Sequence, residues 1–151
     1  MKALIVYDTK YGMTEKIAAA IMKGLKEGGV PEVVTKKVGD ATEADYRAAE
    51  AWIFGSPVHI GGATGDAKKA LKVAVATGAS GKKGTAFDTR FANSTGKGAA
   101  EKMMEKMEEA GVKKAAEPEW FVVLNTKGPL AEGEEAKAAA FGKKIAEALK
   151  S

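Results

Sequence analysis

Short, wholly apolar runs of strand length alternate along the chain with longer segments whose apolar residues recur at helical spacing. Leu4–Tyr7 is the first apolar run, and Glu15–Glu27 follows with Ile17, Ala18, Ala20, Ile21 and Leu25 on one helical stripe, closed by Gly28 and Gly29. Val30–Val38 reads as a more polar strand. Thr42–Glu50 reads as a short helix, with Asp40 and Glu43 at the spacing of a capping box. Ala51–Gly55 is a second fully apolar strand, and Thr64–Ala76 the next helix. The strand Gly84–Phe87, the Met- and Ala-rich helix Gly96–Ala110, the strand Trp120–Leu124 and the helix Glu132–Lys150 complete the series. On this pattern Trp52, Ile53, Phe54, Met103, Met104 and Met107 are core residues.

Strands that alternate with helices predict an α/β fold, a parallel sheet with helices on both faces. No repeat, linker or low-complexity tract interrupts the 151 residues, so the expectation is one domain over 1–151. In such sheets ligands bind outside the carboxyl ends of the strands. Three of those ends lead into small, polar, turn-forming residues. After the first strand come Asp8, Thr9, Lys10, Tyr11, Gly12, Met13 and Thr14; after the third, Ser56, Pro57, Val58, His59, Ile60, Gly61 and Gly62; after the fourth, Asp88, Thr89, Arg90, Phe91, Ala92, Asn93 and Ser94. The first turn runs straight into a helix, so amide hydrogens and hydroxyls converge beside the positive end of a helix dipole, the setting of a phosphate site.

Composition narrows the chemistry. Without cysteine there are no disulfides, thiolate nucleophiles, iron–sulfur clusters or cysteine-ligated zinc. That agrees with a cytoplasmic location, and no window approaches the ~20 apolar residues that span a bilayer. His59 is the only histidine, which excludes histidine-rich metal sites. The net charge of +4 comes from lysines scattered over helix faces without interleaved aromatics, so nucleic acid is not an expected partner. A phosphoryl-accepting receiver domain would need an aspartate at the end of the third strand, where Ser56 stands.

The run Ile5-Val6-Tyr7-x-Thr9-x-x-Gly12-x-Thr14-x-x-x-Ala18-x-x-Ile21 resembles the signature of the flavodoxin family, and Gly55-Ser56-Pro57, Gly128-Pro129-Leu130 and Phe141-Gly142-Lys143-Lys144 resemble its later segments. The resemblance covers the whole chain. It implies a single doubly wound sheet of five parallel strands in the order 2-1-3-4-5, holding a non-covalent FMN. Thr9, Lys10, Tyr11, Gly12, Met13 and Thr14 would then wrap the phosphate. Tyr11 is a departure, because the family often has a third hydroxyl residue there; one phosphate contact is either lost or supplied by the phenol.

By the same resemblance Ser56, Pro57, Val58, His59, Ile60, Gly61 and Gly62 lie beside the flavin ring. Gly61 and Gly62 match the small residues whose peptide turns over to accept the flavin N5 proton, or else they simply break the chain before the next helix. Phe91 would cover the outer flavin face, with Asp88, Thr89, Arg90 and Asn93 at the pyrimidine edge. The implied activity is electron transfer between redox partner proteins. The alternative is an FMN-dependent quinone or protoporphyrinogen oxidoreductase, since some such enzymes carry a Tyr-Gly pair here. Lys10, His59, Arg90 and Lys127 fall near the ligand end and predict a more cationic rim than in acidic family members, with a higher second-electron potential.

Overall fold

A computed structural model of the protein describes residues 1–150. Six strands, β1 (Lys2–Tyr7), β2 (Glu32–Lys37), β3 (Ala51–Pro57), β4 (Lys83–Phe91), β5 (Lys113–Lys114) and β6 (Glu119–Val123), alternate with five helices. These are α1 (Met13–Glu27), α2 (Glu43–Ala48), α3 (Gly65–Ala76), α4 (Ala99–Ala110) and α5 (Glu134–Lys150). All named strands pair in parallel, in the order β2-β1-β3-β4-β5, and β6 also pairs with β4. This is the expected 2-1-3-4-5 arrangement with its fifth strand in two pieces: β5 joins the start of β4 and β6 its end.

Side chains alternate across the sheet and divide the core in two. Leu4, Val6, Trp52 and Phe54 pack under α2, α3 and α4, with Met103, Met104 and Met107. Ala3, Ile5, Ile53, Phe87 and Phe121 pack under α1 and α5, with Ile17, Ile21 and Ile145. On that second face the two helices meet backbone to backbone: a Cβ on Gly142 would stand 2.2 Å from the Ile21 carbonyl oxygen.

Two expectations need correction. The cap of α2 is Thr42, not Asp40: its hydroxyl accepts from the Asp45 amide at 3.2 Å, and Asp45 reaches back to the Thr42 amide at 2.8 Å. The fourth strand does not end at Phe87 but continues to Phe91, because Ser56 and Pro57 of β3 remain paired with Asp88 and Thr89.

Candidate functional site

From β1 the chain passes to β2 on one side and then crosses back past β1 to β3 on the other, so the strand order reverses between β1 and β3. A crevice opens there above the carboxyl ends. Register puts Tyr7 beside Gly55 and Gly55 beside Phe87, so the turns that follow β1 and β3 and the last residues of β4 start level.

The first turn is built on Asp8. Its carboxylate accepts from the Thr9 amide at 2.9 Å and from the Thr64 hydroxyl at 2.5 Å. Thr9 Oγ1 in turn accepts the Gly12 amide at 2.9 Å. Gly12 sits at φ 91, a left-handed conformation that favours glycine, and delivers the chain into α1. α1 has no side-chain cap, so the amide hydrogens of its first turn have no capping side chain to accept them. Buried Thr14 lies there, its hydroxyl 2.9 Å from that of Thr89.

The second turn is stiff where it meets the sheet and strained at its tip. Ser56 Oγ accepts the Thr64 amide at 3.1 Å, and the Val58 amide donates to the Thr89 carbonyl at 2.9 Å. His59 and Gly62 exchange both backbone hydrogen bonds, at 2.7 and 3.1 Å. Ile60 (φ 50) and Gly61 (φ 75) are the two central residues, both left-handed as in a type I′ turn. For β-branched Ile60 this backbone is costly, and its side chain is 93% exposed. Gly62 is committed on both backbone groups; Gly61 is the glycine at a free turn centre.

At the third wall, Asp88, Thr89, Arg90 and Phe91 are strand residues. Arg90 is buried and donates through Nε and Nη2 to the two oxygens of Asp88, at 2.8 and 2.6 Å, and through Nη2 to Glu101 at 2.7 Å. Asp88 also accepts the Ala100 amide at the start of α4, at 2.9 Å, and the guanidinium lies 4.8 Å from the Trp120 ring centre. The hydrogen bonds that Arg90 donates to Asp88 and Glu101 hold its pKa above the ordinary value. Burial works to raise the Glu101 pKa, but the Arg90 contact wins and lowers it. Arg90 therefore contributes no free positive charge to the rim, which corrects that part of the cationic-rim expectation. Lys10 and His59 are exposed there, and Lys127 Nζ stands 5.8 Å from the Tyr11 ring centre.

These walls enclose a cleft of about 250 Å³. Of the expected residues, Thr9, Lys10, Tyr11, Met13, Thr14, Pro57, Val58, His59, Thr89, Arg90 and Phe91 line it. Gly12, Ser56, Ile60, Gly61, Gly62, Asp88 and Asn93 do not. Ser56 and Asp88 act from behind as supports, Gly12 sets the helix entry, and Ile60 faces outward. Four more residues line it: Ser94, from the turn after the fourth strand that the sequence already singles out, and Thr64, Val123 and Thr126, which lie outside the three expected turns. Extending the strand-end rule to the fifth strand finds Thr126 in the turn Asn125-Thr126-Lys127-Gly128; Val123, an ordinary apolar strand residue, carries no such signal.

The residues present fit an FMN. Open first-turn amides and the hydroxyls of Thr9 and Thr14 suit a phosphate dianion without a cationic clamp. Tyr11 and Phe91, 47% and 42% exposed, offer aromatic surface to a flavin ring.

Comparison with known proteins agrees. The family model described as a flavodoxin domain matches residues 4–121. A flavodoxin of Clostridium saccharobutylicum is 33% identical over 89 residues, which is 59% of this chain and 56% of that protein. The chain thus spans about half the length of this relative. Among solved structures, a flavodoxin from the domain Archaea superposes with TM-score 0.82 at 25% identity, over 100% of both chains. The flavodiiron core of Flv1 from Synechocystis also superposes with TM-score 0.82, at 21% identity, over 99% of this chain and 36% of that one.

Proposed function

The chain belongs to the flavodoxin family, whose members bind FMN, and from that premise we propose that it shuttles electrons between redox partner proteins. The observation that carries the reading is the uncapped start of α1 opening into the cleft between Tyr11 and Phe91. FMN, when bound, supplies one- and two-electron redox chemistry. The chain binds and orients it. Thr9, Thr14 and the first-turn amides of α1 hold the phosphate, and Asp8, Thr64 and Ser56 keep the first two turns in fixed relation. Gly61 has the backbone freedom to present a carbonyl toward a flavin nitrogen proton.

No internal connection is long enough to build a separate substrate pocket; the longest runs from residue 124 to 133. This favours a carrier over an FMN-dependent quinone or protoporphyrinogen oxidoreductase, the reading that the Tyr11–Gly12 pair also suits. The test is kinetic. FMN-loaded protein should pass electrons to a one-electron acceptor protein in stopped flow, and should show no steady-state turnover with NAD(P)H and a quinone. Turnover without any second protein would reverse the assignment.

A further inference from the structure

Beside the cleft, α3 and α4 line a groove of about 740 Å³. Leu71, Val75 and Met103 give it an apolar floor. Its rim carries four lysines against two glutamates, Glu105 and Glu109, and is net positive: Lys68 and Lys72 lie on α3, Lys102 and Lys106 on α4, each pair four residues apart and therefore on one face of its helix. Among the described residues Lys68, Lys72 and Lys102 have no ion-pair partner. Lys106 stands 3.7 Å from Glu109, and the lining Glu105 is engaged by Lys97. Like charges at this spacing destabilise a helix, so the stripe does not serve folding.

The groove continues to the cofactor rim. Lys68 Nζ and Lys102 Cδ each lie 3.9 Å from where a Cβ on Gly62 would stand. Its cationic end therefore abuts the His59–Gly62 turn, whose tip is the outward-facing Ile60.

We propose that this groove docks a redox partner presenting an apolar ridge flanked by aspartate and glutamate side chains. The inference rests on the carrier reading and supplies its partner class. Charge complementarity selects an acidic partner. The apolar floor gives it something to bury, and contact with the His59–Gly62 turn brings it to the mouth of the FMN cleft. In each encounter reduced protein loses one electron and the acceptor gains it.

The experiment uses FMN-loaded, photoreduced protein and three acceptors: an acidic plastocyanin, a basic cytochrome c and neutral benzoquinone. The rate to plastocyanin should fall as salt rises. The triple variant Lys68→Glu, Lys72→Glu and Lys102→Glu should lower it about tenfold at low salt, within the range of electrostatic steering. The corresponding Lys→Gln triple should fall in between, cytochrome c should respond in the opposite sense, and benzoquinone should not respond. A second readout needs no electron transfer: NMR of the oxidised, FMN-loaded protein titrated with copper(I) plastocyanin should shift amides of α3, α4 and the 59–62 turn. Plastocyanin reduction that ignores all three substitutions, or shifts confined to α1 and α5, overturns the docking surface and leaves the carrier reading standing. Benzoquinone reduction with neither protein acceptor reduced overturns the carrier reading and the docking surface with it. A dimer in sedimentation that the Glu triple dissociates assigns the groove to a second copy of this chain, also against the proposal.

Discussion

Thr64 donates its hydroxyl hydrogen to Asp8 across 2.5 Å, joining the cap of α3 to the turn that follows β1. The same Oγ1 accepts the Ala67 amide at 3.2 Å, so one side chain both starts a helix and braces the turn after β1. Thr64→Val removes both bonds. The expected loss is about 1–2 kcal/mol of stability in urea unfolding. FMN affinity should fall as well, because Asp8, which still accepts the Thr9 amide, loses its anchor to α3 and holds the turn less firmly; flavin fluorescence quenching reads that second effect.

The Asp88–Arg90 pair predicts a larger loss. Asp88→Asn leaves a buried guanidinium facing only Glu101, and breaking one side of a buried ion pair costs about 3–5 kcal/mol. Replacing both residues with apolar ones of similar volume should recover much of it, since burying charges carries its own cost. Urea midpoints of the single and double variants check this.

Tyr46 is buried among Trp52 and Phe54, and its hydroxyl has no hydrogen-bond partner among the described residues. Tyr46→Phe should therefore raise stability by about 1 kcal/mol, relieving an unsatisfied polar group. Burial also pushes the Tyr46 pKa up to about 12, as burial and the hydrogen bond to Glu15 do for Tyr7. Because burial penalises the ionised phenol, titration leaves stability unchanged below the unfolded value of 10.0 and erodes it as pH rises from there through about 12. The urea midpoint should drop over that window, less steeply in Tyr46→Phe.

Packing between α1 and α5 leaves no room at Gly142. Gly142→Ala should cost about 1–3 kcal/mol, as overpacking does, even though alanine is the better helix former. A gain in the midpoint of thermal unfolding would contradict the close approach of the two helices.

Much of this was legible in the residues, and the exceptions have physical causes. β1 and β3 are buried on both faces and read as unbroken apolar runs. From sequence alone β4 stops at Phe87, because Asp88, Thr89 and Arg90 look like loop residues. They are strand residues because the ion pair satisfies two charges and the Thr14–Thr89 contact satisfies the hydroxyl. β5 consists of two exposed lysines whose strand character comes only from the edge of β4. Spacing alone does not select Thr42 as the cap, because Asp40–Glu43 shows the same three-residue spacing as Thr42–Asp45. Thr9 and Thr14 are legible as cleft residues because they cluster with Gly12 in one short stretch; the cleft residues Thr64 and Thr126 come from distant turns that only the fold brings together.

The central claim is that α1 and the hydroxyls of Thr9 and Thr14 hold the phosphate of FMN, and titration of flavin-free protein with FMN and with riboflavin tests it most directly. FMN should bind one to one with quenched fluorescence, and riboflavin, which lacks the phosphate, about 100-fold more weakly, a difference of about 2.7 kcal/mol. Equal affinity for the two flavins, or no heat and no quenching with FMN, would contradict it.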